Sequence, residues 1–208
     1  MPWLEGLLRD SLDPRGKPEL VEAAPGFERW HGRGALGYLT LEAVCSRLEE
    51  APAEPARLVV CEACFPTGML GGWARRLAEA GLVALVTATS PRRLPHPSGG
   101  RPLTGTNPIA IAVPSSDGSP LVADVSMGAV THGDVLAGRA SAEELVPFGG
   151  PLAHKAFALA AGIELLVAAL AGEEPGALVL VARPDYDPVP AFRELAAGLR
   201  LPGDARVA

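Results

Sequence analysis

Glutamine is absent from this 208-residue chain, and asparagine occurs once, at Asn107. Lysine is almost as scarce: Lys17 and Lys155 are the only two among 18 basic residues. Three cysteines, Cys45, Cys61 and Cys64, are too few and too odd in number for a disulfide framework. No basic cluster exceeds Arg92-Arg93 and the net charge is -6, which argues against a nucleic-acid partner. The longest apolar runs read as short of a membrane span, and the N-terminus lacks a basic-then-apolar leader. A cytoplasmic protein without membrane contact is the expectation. With 48% hydrophobic and 20% charged residues, the composition is that of a folded chain with a substantial core.

The patterning alternates between two periods. Residues 2–12 place Trp3, Leu4, Leu7, Leu8 and Leu12 on one helical face, ended by Pro14 and Gly16. An extended stretch from Lys17 to Gly32 follows, then a plausible helix over 38–50 that buries Leu41, Val44, Cys45 and Leu48. Leu58–Cys61 reads as a strand, 68–81 as a helix and 82–86 as a strand, together a β-α-β unit. Residues 90–102 read as a Pro/Gly/Arg-rich loop, and 108–113 and 121–125 as strands joined at Asp117-Gly118. A weak helix at 141–146 precedes the longest one, about 152–171, which reads as buried nearly all round. A strand at 177–182 and an amphipathic helix at 188–200 complete an α/β layered fold with a mixed sheet and flanking helices. The glycines of 32–37 lack the strand context and acidic partner of a Rossmann fingerprint.

Several positions carry candidate chemistry. Asn107, between Gly-Thr and Pro, is either a turn initiator or an amide that must donate and accept toward a ligand. Gly149-Gly150-Pro151 before a long helix suits an anion, and Lys155 lies one turn beyond. A cation there opposes the helix dipole unless an anion is present. Asp124, in Ala123-Asp124-Val125-Ser126, either closes its strand as an Asx turn or orients a substrate or proton. Cys61-Glu62-Ala63-Cys64 has metal or redox spacing, but further ligands are scarce, and buried thiols are the better reading. No metal site is expected. His31, His96, His132 and His154 form no metal-type pair; His132 and His154 lie nearest the other candidates.

These pieces resemble the type-2 malate/L-lactate dehydrogenase family. The resemblance is carried by Gly105-Thr106-Asn107-Pro108-Ile109-Ala110-Ile111-Ala112-Val113, by Asp124-Val125-Ser126, by Pro147-Phe148-Gly149-Gly150 and by His154-Lys155-Ala156. Gly68-x-x-Gly71-x-Trp73 and Gly99-Gly100 fit as well, and the match is best over 57–171. The resemblance implies a non-Rossmann, L-sulfolactate dehydrogenase-like fold, with 1–208 as one shortened domain. It implies NAD or NADP, held by Ser90, Thr106, Asn107, Asp124, Val125, Ser126 and Lys155. It also implies a homodimer and a small acid substrate, either a 2-hydroxy or 2-oxo acid or a cyclic imine carboxylate.

The departures fall on proton transfer. One family histidine belongs to an early helical motif that is not found here, and another aligns with Pro66, which transfers no proton. Hydride delivery to a carbonyl or imine needs a proton donor; the remaining candidates are Asp124, His132, His96 and Cys64, of which Asp124 and His132 are nominated for it. The alternative is a catalytically silent paralogue that serves as a binding or interaction subunit.

Overall fold

The computed structural model describes residues 12–204 except 14 and 51–54, so the helix expected over 2–12 lies outside the described residues apart from Leu12. The extended N-terminal stretch is a hairpin of β1 (Glu19–Ala24) and β2 (Phe27–His31). Helix α1 (Gly37–Glu50) leads to β3 (Ala56–Glu62), α2 (Leu70–Glu79) and β4 (Val83–Ala88). The stretch expected to be a loop is instead a second hairpin, β5 (Leu94–His96) with β6 (Gly99–Thr104). Pro97 and Ser98 turn its corner, and Gly99 and Gly100 start β6 at positive φ (91° and 101°), a backbone that side-chain-bearing residues rarely adopt.

Strands β7 (Ile109–Val113) and β8 (Leu121–Val125) pair antiparallel across the Asp117-Gly118 turn. A short helix, α3 (His132–Leu136), forms where none was expected; a capping box between Thr131 and Asp134 closes its N-terminus. The weak helix of 141–146 shrinks to a 3-10 turn, Ala142–Glu144. A second 3-10 turn, Gly150–Leu152, feeds the long α4 (Ala153–Ala171). Strand β9 (Ala177–Ala182) and α5 (Val189–Leu195) follow, the last helix ending earlier than its periodicity suggests.

The large sheet has seven strands in the order β1-β2-β3-β9-β4-β7-β8. Strand β9 inserts antiparallel between β3 and β4, so the expected β-α-β unit is not made of neighbouring strands. β9 is a continuous apolar run and β3 is one over Leu58–Cys61, as suits strands covered on both faces. On one face Val59, Ala84, Val86, Ala110, Ala112, Val122, Val179 and Val181 pack against α1 and α2. On the other, Val60, Leu178 and Met127 pack against Ala160, Ile163 and Val167 of α4.

Helix α4 is not buried all round. Its buried side chains are Ala156, Ala160, Ile163, Val167 and Ala171, a single stripe at helical spacing. Leu165 is 71% exposed, and Leu159 and Leu166 are exposed beside it. The small alanines let the helix lie close to the sheet while leucines face outward. Residues Gly150–Ala171 are also long and apolar enough, by length and composition, to cross a membrane, which corrects the expectation that no run is.

Candidate functional site

One end of the sheet collects the segments singled out in the sequence. The C-terminal ends of β3, β4 and β8 and the N-terminal ends of β7 and β9 all lie there, as their antiparallel and parallel registers require. Met127 N donates to Thr106 O (2.8 Å), and Phe148 N donates to Met127 O (3.2 Å). Gly128 bridges Pro147. The Gly105–Pro108 turn, the exit of β8 and the entry to α4 are thereby stitched together.

Asn107 is fully buried and takes a left-handed backbone (φ 33°). Its Nδ2 donates to Ala160 O (2.9 Å) and to Glu164 Oε2 (2.8 Å), both on α4. The same carboxylate oxygen accepts from Gly105 N (3.2 Å), while Arg92 Nε lies 3.6 Å from Glu164 Oε1. Asn107 therefore spends both amide hydrogens inside the protein. Gly105 is wedged between Ser90 and Asn107: a Cβ there would stand 2.5 Å from Ser90 O and 2.5 Å from Asn107 Oδ1. Thr106 differs from its neighbours, being partly exposed with its hydroxyl uncommitted among the described residues.

Asp124 lies on the α1/α2 face, two residues from the buried Val122. Its Oδ2 accepts from Gly71 N (2.7 Å) in the first turn of α2, where Met69 supplies no side-chain cap. This is an N-cap delivered from another strand, and it suits the positive end of the helix. Gly71 is required for the approach, since a Cβ there would stand 2.9 Å from Asp124 Oδ2. Asp124 is exposed, but local desolvation of its carboxyl raises it above its ordinary range, against the Gly71 N–H that favours the charged form. Val125 belongs to the opposite face, paired with Ile109, and is exposed; Ser126 is partly exposed just beyond.

His132 opens α3 and is partly buried. Burial, reinforced by the Arg93 guanidinium, lowers its affinity for a proton, so it is the neutral imidazole at neutral pH. Arg93 is itself partly buried and forms no ion pair among the described residues; its Nη1 donates only to Pro91 O (3.4 Å). Of the two nominated proton donors, Asp124 is shifted toward holding a proton and His132 away from it.

Lys155 sits in the first turn of α4, exposed, with no hydrogen bond or ion pair among the described residues. Gly149, at φ 105°, makes the turn into Gly150–Leu152, so Pro151 serves that 3-10 turn and not the α-helix itself. Cys45, Cys61 and Cys64 are free and buried. Burial pushes the Cys45 thiol up to about 12, and a hydrogen bond with Cys64 raises Cys61, so both stay protonated and unreactive. Among the described residues no three His, Cys, Asp or Glu side chains gather as a metal site. Two open hollows, of about 250 and 300 Å³, lie at the opposite end of the sheet around Phe192 and Tyr186.

Sequence reasoning missed Glu164 and Arg93, and named Gly71 in the Gly68-x-x-Gly71-x-Trp73 motif without its link to Asp124. The available signal for Glu164 was its isolation: it is the only charged residue between Lys155 and Glu173.

The capping role of Asp124 is testable apart from any reaction. Asp124→Asn keeps an acceptor for Gly71 N and removes the ionisation. Its melting temperature at pH 7 is expected to equal or exceed the native one, whereas Asp124→Ala should lose about 1 kcal/mol with the cap. The folded chain holds this proton more tightly than the unfolded chain does. Its contribution is therefore full below the ordinary carboxylate pKa and lost as pH rises through the raised value. A native melt whose advantage over Asp124→Asn grows with rising pH would contradict this.

The comparisons with known proteins agree on one relationship. Residues 2–145 match the family model described as malate/L-lactate dehydrogenase. The Delta(1)-pyrroline-2-carboxylate/Delta(1)-piperideine-2-carboxylate reductase of Pseudomonas aeruginosa is 31% identical over 182 residues, 76% of this chain and 54% of that protein. The (2R)-3-sulfolactate dehydrogenase (NADP(+)) of Chromohalobacter salexigens is 41% identical over 85 residues, 41% of this chain and 25% of that protein. The crystal structure of delta1-piperideine-2-carboxylate reductase from Pseudomonas syringae pv. tomato superposes with a TM-score of 0.80 at 25% identity, covering 97% of this chain and 76% of that one. The chain spans about half the length of the curated relatives it matches.

Proposed function

This chain belongs to the malate/L-lactate dehydrogenase family, and from that premise we propose that it is an NAD(P)-dependent oxidoreductase. Its substrate is a small 2-oxo or 2-hydroxy acid or a cyclic imine carboxylate. The observation that carries this reading is the gathering, at one end of the sheet, of Thr106, the β8 exit and the α4 entry with an unpaired Lys155. The matched relatives are reductases and dehydrogenases by name, which gives the silent-subunit alternative no support.

The residues present suit a dinucleotide. Lys155 offers the charge a phosphate needs at a helix start that otherwise disfavours a cation. Ser90, Thr106 and Ser126 offer hydroxyls, and Val125 an exposed apolar surface. Asn107 takes part by shaping the turn, since its amide nitrogen is committed to α4, while its buried Oδ1 has no partner among the described residues. When bound, the nicotinamide supplies or accepts the hydride, and the protein's share is orientation, charge and the proton. Asp124 is the better proton carrier of the two nominated groups, because desolvation shifts its carboxyl toward holding a proton while His132 is shifted away from it. The half-buried Arg93 supplies a positive charge suited to an acid substrate. The same reading takes the chain to be a homodimer, supported by the outward leucines of α4.

The test is titration with NADPH and with NADH, read by nicotinamide fluorescence, on the native chain and on Lys155→Ala. Saturable binding is expected, weakened about tenfold by the substitution, the worth of one charge-assisted contact. Turnover is then measured with Delta(1)-pyrroline-2-carboxylate, Delta(1)-piperideine-2-carboxylate and 2-oxo acids. Failure to bind either nucleotide would sink the oxidoreductase reading. Sedimentation of the same sample should give twice the 21.4 kDa chain mass; a monomer at micromolar concentration would remove the dimer.

A further inference from the structure

A carboxylate in the middle of an apolar helix is costly unless donors meet it. Glu164 lies on α4 between Ile163 and Leu165, and its side chain is 19% exposed. Every donor that reaches it comes from outside the helix: Gly105 N at 3.2 Å, Asn107 Nδ2 at 2.8 Å and Arg92 Nε at 3.6 Å. Two of the three belong to one turn.

That turn is held on its remaining sides as well. Thr106 O accepts from Met127 N (2.8 Å), and Pro108 O accepts from Thr87 Oγ1 (2.8 Å). Asn107, in its left-handed backbone, also donates to Ala160 O. The residues on both sides of Thr106 are thus tied to α4, through Gly105 N and Asn107 Nδ2, while the Thr106 hydroxyl and the buried Asn107 Oδ1 have no partner among the described residues. The same helix carries Lys155 nine residues earlier, about 13 Å along the axis at 1.5 Å per residue.

We infer that Glu164 is a positioning residue: it locks the helix bearing Lys155 to the turn bearing Thr106, and so fixes the spacing of two cofactor contacts. This inference rests on the oxidoreductase reading above. The Glu164 carboxylate is taken up by Gly105 N and Asn107 Nδ2, so it acts through the turn. Glycine at 105 is part of the device, because a side chain there would collide with Ser90 and Asn107 and lift the turn off the helix.

The experiment measures NADPH dissociation constants by nicotinamide fluorescence for the native chain, Glu164→Ala and Glu164→Gln, well below each melting temperature. Glu164→Ala is expected to weaken binding about tenfold or more, and Glu164→Gln, which keeps an acceptor oxygen but loses the charge, to weaken it by about threefold. A purely structural carboxylate would lower the melting temperature of both variants and leave affinity at low temperature unchanged. Native affinity in a folded Glu164→Ala chain therefore overturns the positioning role and leaves the oxidoreductase reading standing. A native chain that binds neither NADPH nor NADH overturns both. Where Glu164→Ala does not fold, Glu164→Gln decides: a loss of about threefold supports the role, and undiminished affinity overturns it.

Discussion

Asn107→Ala is expected to lower the unfolding free energy by about 3 kcal/mol, through one hydrogen bond to a carboxylate and one to a carbonyl. The wild-type amide reaches Glu164 Oε2 and Ala160 O from a position without solvent exposure. Truncation leaves Glu164 facing only Gly105 N and the distant Arg92. It also leaves a β-carbon at φ 33°, where asparagine is tolerated better than alanine. Asn107→Gly separates these effects: it loses the same side-chain bonds but relaxes the backbone, and should recover about 1 kcal/mol relative to alanine. Asn107→Asp should be the most damaging of the three, because it sets a second carboxylate against Glu164. Urea denaturation at constant m-value checks the order Gly, Ala, Asp. A neutral result for Asn107→Ala would mean that Glu164 does not depend on the amide.

This residue also shows how far the sequence could be read. Its uniqueness in the chain and its place before proline marked the turn correctly, and the ordered segments around it identified the family. The direction of its hydrogen bonds was not legible. They point inward to α4, because the turn meets a helix 53 residues away in sequence. Asp124 is similar: the strand end was visible, but its acceptor role toward Gly71 N depends on α2 lying on the same sheet face.

The fold divides along the same line. Ala177–Ala182 was legible as a strand because it is short, apolar and rich in Val and Leu. Its insertion between β3 and β4 was not, since pairing across the chain leaves no local pattern. For α4, composition misled. Alanines line the sheet side and leucines the outside, so hydropathy marks the two faces in the wrong order. Glu164, the charged residue isolated in that apolar run, marks the α4 face that meets the turn. Residues 90–102 were read as a loop because Pro and Gly break strands, whereas here the paired glycines follow the Pro97-Ser98 corner of a hairpin as the start of β6.

Glu28→Ala is expected to have the largest effect on stability, a loss of about 3–5 kcal/mol, the range for removing one partner of a buried ion pair. Glu28, on β2, is 2% exposed. Its Oε1 accepts from Arg47 Nε (2.8 Å) and Arg57 Nη1 (3.0 Å), and its Oε2 accepts from Trp30 Nε1 (3.1 Å). The carboxylate thereby joins β2, α1 and β3, and its removal strands Arg57, whose guanidinium is mostly buried and whose Nε is already without a partner. Glu28→Gln retains the shape and an acceptor oxygen, and should cost less than alanine. Arg47→Ala should cost less still, because Arg47 is 40% exposed and water can replace it, and the loss should shrink in high salt. The network stands on the far side of the sheet order from β7 and β8, with β9 and β4 between. Its loss should therefore lower the melting temperature without changing NADPH affinity well below the melt. A Glu28→Gln chain that loses affinity in step with stability would show that the two halves of the sheet do not act independently.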